Sequence, residues 1–472
     1  MKRLSLVCFS VLALAQVYIP AASAETKLRV YPAPVGEPLS QRFVVRVEHR
    51  NSPVYVAHVR AITVVKTPDV PEVQTDGEAS FTSFDIGARV KVEVKCQEKV
   101  TAAKILPASY GITPIFSGNR VTFLISKPEQ LTLEINGDWN NSLHLFANPV
   151  ETDVLNPKAD NVIYFGPGVH TIEPLKVGSG KTVYLAGGAV VYGKLTPGHE
   201  HDPVLLLEGS NIKLLGRGIL DGSLHPKSTA ASNLLRIHGD NIDVEGIVLR
   251  DSSTWTVPIA GSTHVKIGNI KIFGWQGNAD GIDVNNSQSV EVANSFIRTF
   301  DDLVVIKATD LNGLETKDVL VKHMVLWNEI AHALSIGAEL RRPVENITFT
   351  DCDVIHSLDR EWVLRIYHTD AASVRHVVFD DIRIEEDRRF ISLWINKARW
   401  SKDTDRGHID DVTFRNIRTV RPTSVNPIQF AGFDANHAIH DVRLEDVMID
   451  GKPLKPGDVQ SNQFVSGVTV TP

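Results

Sequence analysis

The stretches NIKLLGRGIL at 211–220 and NIDVEGIVLR at 241–250 share one plan. Each opens on a polar residue, runs apolar-x-apolar, turns, and resumes with a second short apolar strand. The plan returns as HVKIGNIKIF at 264, SVEVANSFIR at 289, DVLVKHMVLW at 318, NITFTDCDVI at 346, HVVFDDIRIE at 376, DVTFRNIRTV at 411 and DVRLEDVMID at 441. A period of roughly 23 to 35 residues marks a solenoid, because strands this short bury their apolar face only by stacking on the next copy. A leucine-rich repeat would need an LxxLxL signature and helical segments, and neither is present. The expected fold is all-β, a right-handed parallel β-helix over residues 156–472. Irregular spacing between copies places insertions in loops, where a binding groove can form.

Upstream the pattern differs. FVVRVEHR, YVAHVRAITVV, ARVKVEVKC, NRVTFLIS and LTLEING alternate apolar and polar residues between turn signals such as SGN and NGD. Short alternating strands of this kind predict a β-sandwich over residues 25–155. No aromatic cluster on these strands marks a sugar platform, so a structural brace is favoured over a carbohydrate-binding module. Residues 1–24 read as a secretory signal: Lys2 and Arg3, then an apolar stretch, then Ala22-Ser23-Ala24 before a mature start at Glu25. Cys8 lies in that leader, and the distant Cys96 and Cys352 predict free thiols.

Of 472 residues, 43% are hydrophobic and the net charge is -7. No long basic run suggests a nucleic-acid partner. No later stretch reaches the roughly 20 apolar residues of a membrane span. Nothing calls for a metal or cofactor.

Four aspartates, Asp280, Asp283, Asp301 and Asp302, stand among apolar runs in GNADGIDVNNSQSVEVANSFIRTFDDLVVIK (277–307). Residues one repeat apart stack at the strand spacing of about 4.8 Å. Asp280, the Asp301–Asp302 pair, His332 in AHALSIG and Arg365 in VLRIYH are therefore expected to form one column on successive coils. Neighbours on a straight strand face opposite ways, so Asp301 and Asp302 can share a face only at a turn. Crowded carboxylates hold one another's protons, and a histidine beside them can tune that state. Such a set suits glycoside hydrolysis, which needs one carboxylic acid and one carboxylate. The plainer readings are Asp-Gly turn pairs, turn caps, a calcium site and a hydrogen-bonded structural histidine.

NADGIDV, FDDLVVIK, AHALSIG and LRIYH, in that order, resemble the motif series of the polygalacturonases, glycoside hydrolase family 28, whose pattern is NTD, DD, GHG and RIK. The likeness extends over roughly residues 160–450, and SSTWTVPIAGSTHVKI is similar to the approach to the first motif. The resemblance implies an inverting hydrolase of a polysaccharide. It implies Asp301 as general acid, Asp280 and Asp302 as holders of the water, and His332 as keeper of the acid's protonation. It also implies Arg365 as a sugar contact and Asn278 as the residue shaping the first turn. Ala279, Ala331 and Ala333 depart from the pattern, and Tyr367 replaces a lysine that binds the substrate carboxylate in that family. Tyrosine suits a neutral sugar better. The order sandwich then β-helix, with LTLEINGDWNNSLHLFANP and NVIYFGPGVH, also resembles the dextranase and isopullulanase family 49, whose substrates are neutral α-glucans.

Six tryptophans, Trp255, Trp275, Trp327, Trp362, Trp394 and Trp400, fall in the β-helix region. Trp362 and Trp400 are the expected sugar contacts, being beside Arg365 or in NKARWSKDTDRG. Competing readings are a lyase, which needs a base and often calcium, a glycan-binding protein without catalysis, and a C5-epimerase.

Overall fold

The computed structural model describes residues 28–62, 74–152, 155–225, 231–357, 361–420 and 428–472. The leader expected over 1–24, with Cys8 and the cleavage point after Ala24, lies outside them.

The polar residue that opens each repeat is a corner. Asn211, Asn241, Asp318, Asn346, Asp411 and Asp441 have φ of 58°, 53°, 57°, 56°, 53° and 55°. Asn and Asp tolerate this left-handed region because a short polar side chain bonds locally. A second corner follows at Asn269, Asn294, His323, Asp351, Asp381, Asn416 and Asp446, all with positive φ. From each first corner an apolar residue turns inward. Ile212, Ile242, Val265, Val290, Val319, Ile347, Val377, Val412 and Val442 pair in register from coil to coil and are all buried. Phe349, Phe379 and Phe414 stack along the same core with ring centroids 4.8 Å apart, the rise of one strand. The product is a 30-stranded, almost wholly parallel sheet from Val162–Phe165 to Thr469–Thr471, wound as a right-handed β-helix.

The corners are testable. Asn346→Val puts a β-branched residue at positive φ and is expected to cost about 1–3 kcal/mol in urea unfolding. Asn346→Gly should cost much less.

Residues Leu28–Val30, Tyr55–Ile62, Gln74–Ile86, Asp138–Pro149, Glu129–Ile135 and Ala103–Leu106 form a six-stranded sheet. It packs on a five-stranded sheet of Arg50–Ser52, Phe43–Val47, Val90–Cys96, Arg120–Ile125 and Ile115–Ser117. The alternation expected of LTLEING fails here: Leu131 to Ile135 are buried on both faces. The cause is a third layer. Tyr55, Phe81 and Phe146 of the six-stranded sheet pack on Val190, Ile219, Val248, Phe273, Phe296, Val325, Trp327 and Ile355 of the β-helix. Phe81 lies 5.1 Å from Phe273, centroid to centroid. Trp327 is thus packed between the two parts, away from any groove. Charge is buried there too: Arg298 pairs with Glu329 at 2.8 Å, and Arg217 with Asp85 at 3.0 Å.

Cys96 and Cys352 are free and buried, as expected. No helix among the described residues is long and apolar enough to cross a membrane.

Candidate active site

Asp301 and Asp302 sit in the turn between strands Phe296–Thr299 and Val304–Ala308, and Asp280 in the turn before Ile282–Asn285. Ile282 pairs with Val304, Val304 with Leu334, Leu334 with Leu364, and Leu364 with Ile391. The residues two places earlier are Asp280, Asp302, His332, Trp362 and Arg389, which therefore share one column. Backbone bonds lock these turns together: Gly281 N–H to Asp302 O (2.8 Å), Leu303 N–H to His332 O (2.9 Å) and Val363 N–H to Arg389 O (2.9 Å). Gly281 is required for this approach, because a Cβ there would collide with the Leu303 carbonyl and Ile297. The Asp280-Gly281 pair is thus more than a surface turn.

Arg365 departs from the expected column. It pairs with Ser335, in the row that carries Asp283 and Val305. Its side chain reaches back instead, with Nη1 donating to His332 Nε2 at 3.3 Å. Tyr367 lies beside Gly337 and Trp394 two rows further on.

One carboxylate oxygen from each of Asp280, Asp301 and Asp302 lies within 4.8 Å of the others. The Asn278 backbone, in a turn at φ 60°, donates to Asp301 Oδ2 at 3.0 Å. Asp302 N–H donates to Asp301 Oδ1 at 3.1 Å, and His332 N–H donates to Asp302 Oδ1 at 3.1 Å. Such an acidic set can also attract a cation.

His332 Nδ1 faces the Trp362 carbonyl at 2.8 Å. A carbonyl only accepts, so Nδ1 carries the hydrogen and Nε2 accepts from Arg365. Burial, then the Arg365 charge, holds this imidazole well below its ordinary pKa, so it is neutral.

The acids behave oppositely. Burial, then the Asp283 charge, raises Asp280 well above the ordinary value. Burial, then Asp301, pushes Asp302 up to about 8. Asp283 is pushed up to about 7, by burial first, against the Lys307 charge and a hydrogen bond from Asp280 that lower it. Lys307 is the counter-charge. Its Nζ lies 3.8 Å from Asp280, 3.9 Å from Asp283 and 3.5 Å from Glu339, and 4.6 Å from the Trp255 ring centroid. Burial would lower the Lys307 pKa, but these carboxylates overcome it and raise it.

This sets a pH dependence. A carboxyl whose folded pKa is raised from 3.8 to about 8 binds its proton more tightly folded than unfolded. Its stabilising effect is complete below pH ~4 and is lost as pH rises through ~8. Asp302→Asn is therefore expected to flatten the fall in melting temperature between pH 4 and pH 8. An unchanged slope would place the proton elsewhere.

Arg365 is walled by aromatic rings. Its guanidinium carbon lies 5.0 Å from Trp362, 4.3 Å from Tyr367 and 5.0 Å from Trp394, ring centroids being the reference. Its Nη1 also pairs with Glu361.

The model of glycosyl hydrolases family 28 matches residues 199–467, more than half of the chain. The chain belongs to glycosyl hydrolases family 28. Among curated relatives, this family 28 chain is 24% identical over 274 residues to a polygalacturonase of Gossypium barbadense, covering 53% of itself and 64% of that protein. It is 23% identical over 315 residues to a dextranase of Arthrobacter sp. (strain CB-8), covering 58% and 46%. It thus spans less than two thirds of the length of these relatives. Among solved structures it matches Dex49A from Penicillium minioluteum with a TM-score of 0.62 at 14% identity, over 94% of this chain and 96% of that one. It matches a hyperthermoactive exopolygalacturonase from Thermotoga maritima with a TM-score of 0.52 at 16% identity, over 66% and 84%. These likenesses show the fold, and the first includes the sandwich.

Sequence reasoning singled out Asp283 without giving it a role, and missed Lys307, Glu339 and Glu361. Lys307 carried a signal, since it ends the apolar run LVVIK inside a strand. Glu339 and Glu361 carried none, because their reach depends on how the loops close.

Proposed function

We propose that this family 28 protein hydrolyses α-glycosidic bonds of a pectic polysaccharide. The observation that carries the reading is the convergence of Asp280, Asp301 and Asp302 beside a neutral His332. The names of the relatives support the substrate class. Asp301 protonates the leaving oxygen. Asp280 and Asp302 grip and activate the water, and His332 holds the Asp302 loop by its backbone and Arg365 by Nε2. Trp362, Arg365 and Tyr367 meet the sugar, and Asn278 fixes the Asp301 carboxylate. Export through residues 1–24 belongs to the same reading, and a secreted product beginning at Glu25 would be its mass-spectrometric sign.

Proton affinity alone favours Asp302 or Asp280 as the acid, whereas the order of the motif favours Asp301. Spacing leaves stereochemistry open, since inverting carboxyls are typically about 6.5–9.5 Å apart and retaining ones about 5–5.5 Å. Here the base side is a pair, which can hold a water without a wide gap. The product formed first, followed by NMR, is expected to be the β anomer. An α anomer formed first would make one aspartate a nucleophile.

One observation favours a neutral glucan as the second reading. The cations nearest the acids are already engaged, Lys307 by three carboxylates and Arg365 by Glu361. A reducing-end assay on polygalacturonate, rhamnogalacturonan, dextran and pullulan, with Asp301→Asn as control, tests both. Release from the pectic polymers supports the first reading, and release only from the glucans supports the second.

A further inference from the structure

The column and its flank change sign along their length. Around the aspartates every cation is paired with carboxylate. Three rungs beyond Asp302 in the same column the reverse holds. Arg389 is half-buried, its guanidinium 4.6 Å from the Trp362 ring centroid, and among the described residues it meets no carboxylate. The loop after strand Ile391–Ile395 adds Lys397 and Arg399, both exposed and without an ion pair among the described residues. Arg399 lies 5.5 Å from the Trp400 ring centroid, and Trp400 is 38% exposed. Tyr367, 6.3 Å from Trp400, connects this end to the Arg365 cluster.

A guanidinium held over an indole face keeps its edge donors available. That is the geometry for bidentate pairing with a carboxylate. The stack costs the arginine little mobility on binding, because the indole already restrains it. Three rungs separate its backbone from Asp302, about 14 Å, and its guanidinium reaches back over the Trp362 ring that also carries Arg365.

We infer that Arg389, seated on Trp362, is a subsite for the carboxylate of an acidic sugar adjoining those at the cleaved bond. Lys397 and Arg399 extend its positive field. The chain then reads the charge of its substrate away from the acids, where Tyr367 has replaced a cation. This rests on the pectic reading above and specifies where that reading is enforced.

The test is binding of oligogalacturonides and their methyl esters to the Asp301→Asn protein by calorimetry, with and without Arg389→Ala. The free acids are expected to bind at least about tenfold more tightly than the esters, the worth of one charge-assisted pair. That preference should fall to about twofold or less in the Arg389→Ala background and survive in part in Arg389→Lys. Added salt should erode it. A preference unchanged by Arg389→Ala, or no preference at all, overturns the subsite. Equally tight binding of dextran sulfate would overturn its assignment to a carboxylate. A preference that depends on Arg389, in a wild-type protein that cuts no glycan, would keep the subsite and sink the hydrolase reading instead.

Discussion

Asp301→Asn is expected to lower kcat on polymer by about 10³-fold, within the range that a positioned acid contributes, with little change in KM or melting temperature. The amide keeps the shape of the carboxylate, and its one oxygen still accepts from either the Asn278 or the Asp302 backbone, which the carboxylate meets separately with Oδ2 and Oδ1. What it loses is the proton. A substrate with a strongly acidic leaving group, such as a nitrophenol, needs no protonation to depart. Asp301→Asn should recover most of its rate on such a substrate, whereas Asp302→Asn should not, because water still has to be activated. The pair of rates therefore decides between the motif order and the proton affinities. If the activated substrate rescues Asp302→Asn instead, the acid is Asp302.

The largest loss of stability is expected far from the acids. Arg298 and Glu329 are both fully buried between sandwich and β-helix and pair at 2.8 Å. The Arg298 guanidinium lies 3.7 Å from the Trp327 ring centroid, and its Nη1 meets His144 Nε2 at 3.3 Å. His144 is kept well below its ordinary pKa by burial and then by Arg298, so it is neutral and cannot replace the lost anion. Glu329→Ala strands a buried cation and should cost about 3–5 kcal/mol. Replacing the pair together, as Arg298→Met with Glu329→Leu, should cost far less, since matched apolar side chains remove both desolvation penalties. A denaturant series on wild type, single and double variants measures this. Equal losses in single and double would mean the pair stabilises beyond its own desolvation.

The fold was legible because the coil is a local object. An Asn or Asp at each corner and an inward residue right after it are set by a few neighbouring atoms, and they recur at 211, 241, 318, 346, 411 and 441. The acids were legible for the same reason, since stacking turns one repeat length into one contact. Arg365 shows the limit. Its motif was read correctly in order, yet the row it occupies is fixed by exact strand register, and three residues of offset put Trp362 in the column instead. The sandwich shows another limit. LTLEING alternates as a strand with one wet face would, but the third layer that buries its other face comes from the β-helix, whose first contributor is Val190. Arg389 escaped notice because an arginine in EEDRRF looks like ordinary surface charge until the column is drawn.

The apolar contact between the six-stranded sheet and the β-helix runs from Val190 to Ile355, and Lys104 extends it to Glu385 at 3.2 Å. Solenoids commonly gain or lose repeats over evolutionary time, because each copy touches only its neighbours. Here a duplicated or deleted copy inside that span would displace every later contact by one rung of about 4.8 Å, and Arg298 would no longer face His144. Changes in repeat number should therefore accumulate in relatives only beyond Glu385, leaving the length of the braced segment as a fixed ruler in the lineage.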